Sequence, residues 1–220
     1  MSDPPRLVRP ARLARLRGLY AIVGDVDPTE RARAAIAGGA AVVQLRMKRA
    51  PAGEILAVAR RLVELARGRA LVLVNDRPDL ALLAGADGVH LGDEDLPVEE
   101  ARRLVGDELL VGRTTRQLED VLAAARAGAD HVGYGPVFPS LTKPLDVAPR
   151  GLEGLALTCL GAPVPVVAIS GITLENVEAV ARCGAAAAAI AGDLFEHGDP
   201  RARAEALAAA FARGAPEADL

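Results

Sequence analysis

Residues 71–91 read Leu71-Val-Leu-Val74-Asn75-Asp76-Arg-Pro-Asp-Leu-Ala-Leu-Leu-Ala-Gly85-Ala86-Asp-Gly88-Val-His90-Leu91. A continuous apolar run, Leu71–Val74, ends in two polar residues. A helical pattern follows over Arg77–Leu83, Gly85-Ala86 closes it, and a second apolar run begins at Gly88. Short strands that are apolar throughout, rather than alternating, belong to a parallel sheet covered on both faces. A glycine after the helix permits the left-handed cap that turns the chain back.

The same unit recurs from Gly18 onward. Strands are expected at Leu19–Val23, Ala41–Leu45, Leu71–Val74, Gly88–Leu91, Leu109–Val111, His131–Tyr134, Val164–Ile169 and Ala186–Ala191. Helices are expected between and after them, one opening at Asp27-Pro28-Thr29-Glu30, where a capping residue precedes proline and an acid. Gly-Ala pairs recur before strands at residues 39, 85, 128 and 184. Eight such units favour closure into a single (β/α)8 TIM barrel over an open sheet. No linker divides it, so residues 18–220 are expected to form one catalytic domain. Residues 1–17 are then a basic extension, with Arg6, Arg9, Arg12, Arg15 and Arg17, read as solvated or as a short helix leading into the first strand.

Composition removes several functions. The chain is 51% hydrophobic but only 2% aromatic, and its formal charge is −3; with a pI near 5.7 it is not a general nucleic-acid binder. No apolar run has the length of a membrane span, and Cys159 and Cys183 are too few for a disulfide framework, as expected of a cytoplasmic protein. A homo-oligomer is compatible with these numbers.

In a barrel of this kind the residues beyond the C-terminal strand ends build the active site. Of 26 basic residues only two, Lys48 and Lys143, are lysines. Keeping lysine in so arginine-rich a chain points to places where a compact ammonium fits and a guanidinium fork does not. Gln44, Arg46 and Lys48 alternate after the second strand, so all three can face one side. Asn75 and Asp76 follow the third strand, and Asp93, Glu94 and Asp95 the fourth. Carboxylates from neighbouring strand ends suit Mg²⁺, which takes one or two of them plus phosphate oxygens. Ser170-Gly171 after strand seven and Ala191-Gly192 after strand eight offer the backbone N–H groups and glycines of a second phosphate site. Two such sites on one rim point to two phosphorylated substrates being joined.

The motifs Val-Val-Gln44-Leu-Arg46-Met-Lys48, Val-Asn75-Asp76-Arg-Pro-Asp, Ala-Asp87-Gly-Val-His90-Leu-Gly-Asp-Glu-Asp95 and Gly133-Tyr-Gly135-Pro136-Val-Phe138-Pro139-Ser140-Leu-Thr142-Lys143 appear in that order. Over residues 18–195 the chain resembles the thiamine-phosphate synthases and their sisters, the thiazole tautomerases. The resemblance implies a transferase that joins a hydroxymethylpyrimidine diphosphate to a thiazole phosphate and releases diphosphate. It implies that Gln44, Arg46, Lys48, Asn75, Thr114 and Lys143 hold the pyrimidine diphosphate, with Arg46, Lys48, Thr114 and Lys143 acting on the departing group. Ser140, Leu141, Thr142, Gly171, Ala191 and Gly192 would hold the thiazole phosphate, and Asp76 and Asp95 the Mg²⁺.

Five positions depart from the family's pattern: Met47 stands for a usual Glu, Asp93 for Gln, Arg116 for His, and Ser170 and Gly192 invert a usual Gly and Ser. Thr114 replaces Ser and keeps the hydroxyl. His90 is expected to pack or hydrogen-bond at the strand end, and His131 and His197 to be structural or solvated. Three other readings share parts of this pattern. A tautomerase would share the segment Pro149–Leu155, but those known lack the acid at Asp95. A phosphosugar isomerase would explain the phosphate loops without the Asp76/Asp95 pair. A non-catalytic ligand-binding barrel would account for the departures.

Overall fold

A computed structural model describes residues 8–139 and 147–216. A helix, α1 (Arg9–Arg15), leads into β1 (Gly18–Val23), α2 (Pro28–Ala37), β2 (Val42–Leu45), α3 (Ala52–Ala66), β3 (Leu71–Asn75), α4 (Pro78–Ala84), β4 (Gly88–Leu91) and α5 (Val98–Val105). The second half continues with β5 (Leu110–Thr115), α6 (Leu118–Arg126), β6 (His131–Tyr134), α7 (Gly151–Gly161), β7 (Val166–Ile169), α8 (Val177–Arg182), β8 (Ala187–Ile190), α9 (Gly192–Phe195) and α10 (Pro200–Gly214). All eight strands pair in parallel and in chain order, and β8 returns to β1, so the barrel is closed. The (β/α)8 architecture expected from the repeat is the one observed.

Two cores explain the non-alternating strands. One side of each strand meets the helices, burying Val43, Leu45, Leu62, Val89 and Val111 among others. The other side fills the barrel, with Tyr20, Val42, Leu71, Leu73, Leu110 and Val167 packed against the small Ala187 and Ala189. Leu62 is fully buried on α3; truncating it to alanine would cost about 2–5 kcal/mol through lost transfer energy and a cavity.

Some element ends differ from expectation for local reasons. β7 starts at Val166 because Pro165 has no N–H to give the ladder. β5 runs on to Thr115, although Gly112 and Arg113 interrupt its apolar run. Asp27 precedes α2 but adopts φ 42° and makes no side-chain cap, so the proline at the first helical position, not the aspartate, sets that start. The short α9 carries no periodic signal and is absent from the expected helices.

The N-terminal arginines lie at the floor of the barrel. Leu13 and Leu16 cap the inner core, and the Arg12 side chain is 4% exposed, pairing with Asp87 at 3.1 Å. Arg12 also donates to the Glu108 carbonyl, while Arg9 reaches both Asp107 and Asp130. Asp87 and Asp130 also serve the sheet, since each accepts from a strand N–H, of Val72 at 2.9 Å and Val111 at 2.8 Å. Both follow a Gly-Ala pair, so this recurring turn delivers an acceptor to the floor at β4 and β6.

Candidate active site

The opposite end gathers the polar residues picked from the sequence. Strand parity turns Gln44 into the barrel and carries Arg46 and Lys48 to the same side above it, while the intervening Met47 is buried against the helices. Met47 therefore packs in the outer core, and its departure from Glu is a packing feature. Gln44 is nearly buried and donates from its amide to the Tyr20 hydroxyl at 2.6 Å. Burial pushes the Tyr20 phenol well above its usual range, with Gln44 pulling it part of the way back. Tyr20 does not stand out in the sequence, because it lies in the first strand's apolar run and its hydroxyl gains meaning only from Gln44 across the sheet.

Lys48 Nζ lies 3.1 Å from Asp76 Oδ2. Asp76 sits in the tight turn out of β3, at φ 64°, a left-handed conformation that aspartate tolerates better than most residues. Its N–H donates to the His90 carbonyl at 2.8 Å, which tethers the turn to β4. Asp95 comes from the next loop and accepts from the Gly92 N–H at 2.7 Å. A Cβ at Gly92 would stand 2.9 Å from Asp95 Oδ2 and 4.0 Å from Asp76 Oδ1, so both carboxylates converge on that glycine.

Their electrostatics follow from this proximity. Burial raises the Asp76 carboxyl, hydrogen bonding with Asp95 raises it further, and Lys48 offsets part of the rise. Asp95 is also pushed up by burial but ends below the ordinary range, held there by Asp76, the Gly92 N–H, Lys48 and Arg113. Two half-buried carboxylates with one ammonium beside them leave net negative charge. Hard oxygen donors of this kind fit Mg²⁺, which completes its shell with water and phosphate oxygens; among the described residues no group of three or more acids, histidines or cysteines is placed to hold a metal by itself.

Asn75 ends β3 on the inward-facing side, and Thr114 Oγ1 lies 3.1 Å from His90 Nε2 at the mouth. His90 is buried with its pKa pushed down to about 4, by burial first and by Arg113 next, with Asp95 opposing. His131 lies deeper and is also pushed well below the ordinary imidazole range, by burial first, the neighbouring His90 adding to it. Asp93 and Arg116, two of the departures, form an ion pair with each other across the loops after β4 and β5. One change thus answers the other at the rim.

The loops expected to hold the second phosphate follow the neighbouring strands β7 and β8. Ser170 adopts φ 75° and Gly171 φ 66°. The reason for glycine at 171 differs from the expected approach to a ligand: a Cβ would stand 2.3 Å from the Pro139 carbonyl and 2.6 Å from Phe138 Cβ. Asn176 holds the loop from behind, accepting from the Thr173 N–H and donating to the Gly171 carbonyl. Ala191 and Gly192 lie at the start of α9, while the adjacent Asp193 is turned away and held by Arg203 through two bonds, at 3.0 and 2.6 Å. Ser140, Leu141, Thr142 and Lys143 lie outside the described residues.

A closed parallel barrel with carboxylates, a lysine and two adjoining glycine-bearing loops on its C-terminal rim is the architecture of the phosphate-handling barrel enzymes. Residues 19–194 match the family model described as thiamine monophosphate synthase. The chain is 62% identical over 207 residues to the thiamine-phosphate synthase of Anaeromyxobacter dehalogenans, covering 94% of this chain and 93% of that protein. It is 47% identical over 211 residues to that of Myxococcus xanthus, covering 93% and 97%. Among solved structures, thiamine phosphate pyrophosphorylase from Pyrococcus furiosus superposes with a TM-score of 0.84 at 35% identity, over 91% of this chain and 98% of that one. The chain belongs to the thiamine monophosphate synthase family.

Proposed function

We propose that the protein is a thiamine-phosphate synthase, a transferase that condenses 4-amino-2-methyl-5-hydroxymethylpyrimidine diphosphate with 4-methyl-5-(2-phosphooxyethyl)thiazole to give thiamine phosphate and diphosphate. The observation that carries this reading is the Lys48–Asp76–Asp95 group on one rim. A tautomerase or an isomerase working on a single phosphate has no need of paired carboxylates there. Arg46, Lys48 and Lys143 bind the diphosphate and neutralise its charge as it leaves. Gln44 and Asn75 orient the pyrimidine, and Thr114 offers its hydroxyl to the same substrate. Asp76 and Asp95 would hold Mg²⁺, which would supply further neutralisation of phosphate charge. The C–O bond breaks with its electron pair going to diphosphate, and the pyrimidine ring stabilises the positive methylene carbon. The thiazole nitrogen then forms the C–N bond with its own lone pair. No proton has to be removed, in keeping with low-pKa imidazoles serving as neutral hydrogen-bonding groups. Gly171, Ala191 and Gly192, with Ser140, Leu141 and Thr142, hold the thiazole phosphate.

Among the described residues no helix is long and apolar enough to cross a membrane, and Cys159 and Cys183 are free; we place the protein in the cytoplasm with two small phosphorylated substrates. The decisive experiment measures diphosphate release from the two substrates with Mg²⁺ and with EDTA. Release that depends on both substrates and on the metal is expected. Turnover undiminished in EDTA would refute the metal assignment, and no release under any condition would refute the synthase.

A further inference from the structure

Two of the chain's three histidines stand inside the barrel, and the condensation gives neither a direct part. Strand pairing sets His90 of β4 opposite Gly112 of β5, and Gly112 opposite His131 of β6. The glycine leaves the slot in which the two rings meet: a Cβ there would stand 2.2 Å from His131 Nε2 and 2.6 Å from His90 Nδ1. His90 Nδ1 lies 3.4 Å from His131 Nε2, and the ring centroids are 5.6 Å apart. Toward the mouth, His90 Nε2 lies 3.1 Å from Thr114 Oγ1. At the other end His131 Nδ1 is buried with no partner.

Counting protons along this row sets its direction. Both rings are buried with no carboxylate in contact, so each is neutral, with one N–H and one lone pair. A proton on His131 Nδ1 would bury an N–H without an acceptor, and orphaned donors are rarer in folded proteins than orphaned acceptors. With the proton on Nε2, His131 loses only a lone pair and donates to His90 Nδ1. His90 then carries its own proton on Nε2 and donates to Thr114 Oγ1. The hydroxyl's one hydrogen is left over and can be satisfied only outward, at the mouth.

We propose that His90 and His131 are positioning residues: a proton-ordered pair that fixes Thr114 as a hydrogen-bond donor to an acceptor-only group of the substrate. The identity of that group, the diphosphate oxygens, rests on the synthase reading; the polarity of the row does not. A donor held ready for developing phosphate charge strengthens as the bond breaks and involves no reorientation at that moment.

Nitrogen-15 NMR of the wild-type protein without substrate reads the polarity. Both His90 and His131 are expected as Nε2–H tautomers, and an Nδ1–H signal from either overturns the proposal whatever reaction the protein catalyses. His90→Phe keeps a ring but removes both nitrogens, and His90→Gln returns an amide donor. With both substrates, His90→Phe is expected to lower kcat/KM for the pyrimidine diphosphate by about ten- to a hundredfold, the worth of one hydrogen bond to a charged acceptor. The thiazole-phosphate KM should stay unchanged, and His90→Gln should recover most of the loss. In a Thr114→Val background His90→Phe should add little, because the two changes remove one interaction. Additive losses, or equal rises in both KM values, would assign His90 to packing and overturn the proposal. Absence of diphosphate release from the wild type would instead count against the synthase reading and leave the tautomer result to judge the pair.

Discussion

Aspartates crowd both ends of the barrel, and the two ends treat them in opposite ways. On the floor, Asp87 pairs with Arg12 and accepts from the Val72 N–H, and Asp130 pairs with Arg9 and accepts from Arg102 and the Val111 N–H. Each charge there is matched by an arginine and a backbone donor. On the rim, Asp76 and Asp95 face each other with one lysine between them and solvent. The floor's charges complete the fold, whereas the rim's carry a surplus of negative charge that suits the proposed cation. A paired buried charge is costly to break, while like charges held close are costly to keep and mark a functional site.

Removing a carboxylate from each end is the strongest way to break this contrast. Asp95→Ala is expected to lower turnover by about a hundredfold or more, since a metal's contribution is worth several kcal/mol. Its urea midpoint should fall only slightly, because the Gly92 N–H bond and the Lys48 and Arg113 attraction that it gives up lie at the solvent-facing rim, not in the core. A variant that loses stability and keeps activity would put Asp95 on the structural side. Arg12→Ala should do the reverse, destabilising the fold by about 3 kcal/mol by leaving Asp87 without its partner, with kcat and both KM values unchanged under native conditions. Denaturant unfolding beside steady-state kinetics checks both.

Ser170 sharpens the comparison within the rim. It occupies a left-handed conformation, at φ 75°, which costs a non-glycine residue about 1–2 kcal/mol. Ser170→Gly should therefore raise stability by about 1 kcal/mol. If the hydroxyl replaces the one missing at Gly192, the same change should raise the thiazole-phosphate KM by roughly tenfold, the worth of one hydrogen bond. Adding Gly192→Ser should restore much of it. A stability gain with both KM values unchanged would mean that backbone N–H groups alone hold the phosphate.

The smallest expected effect is one of pH. Asp76 titrates above its ordinary 3.8 because burial and Asp95 favour its protonated form. A cation must displace that proton, so apparent Mg²⁺ affinity should rise with pH through the window above 3.8 and level off once Asp76 is ionised. The sign for the metal-free fold is opposite: a raised carboxylate pKa means that the native state binds the proton more tightly, so this group's contribution to stability falls as pH rises through that window. Calorimetric titration at several pH values tests it, and an affinity independent of pH there would show that the carboxylates do not share a proton.

Much of the rim was legible because barrel geometry turns sequence position into place. Gln44, Arg46 and Lys48 follow strand parity, and residues past a strand's end must lie at the mouth. Parity also shows, once the strand is known, why Met47 is not a site residue. What escaped were relations across strands. The ion pair of Asp93 with Arg116 joins two loops, and nothing local in either segment announces it. The glycine in β5 read as a strand end, because a missing side chain is a weakness in a single strand. Its reason, the room it leaves for His90 and His131, exists only after three strands are in register.

The chain by itself determined the repeat, the parallel sheet and the end of the barrel where its chemistry gathers, because apolar period, glycine caps and strand length are local properties that every unit repeats. Tertiary structure decided which charges meet. Arg12 became a buried tether because the floor brings Asp87 under it; Asp76 and Asp95 became a pair because adjacent strands end side by side; Ser170 acquired its strained backbone from the loop it closes. Pairwise contact, desolvation and register depend on residues far apart in the chain, and only the closed barrel supplies those distances.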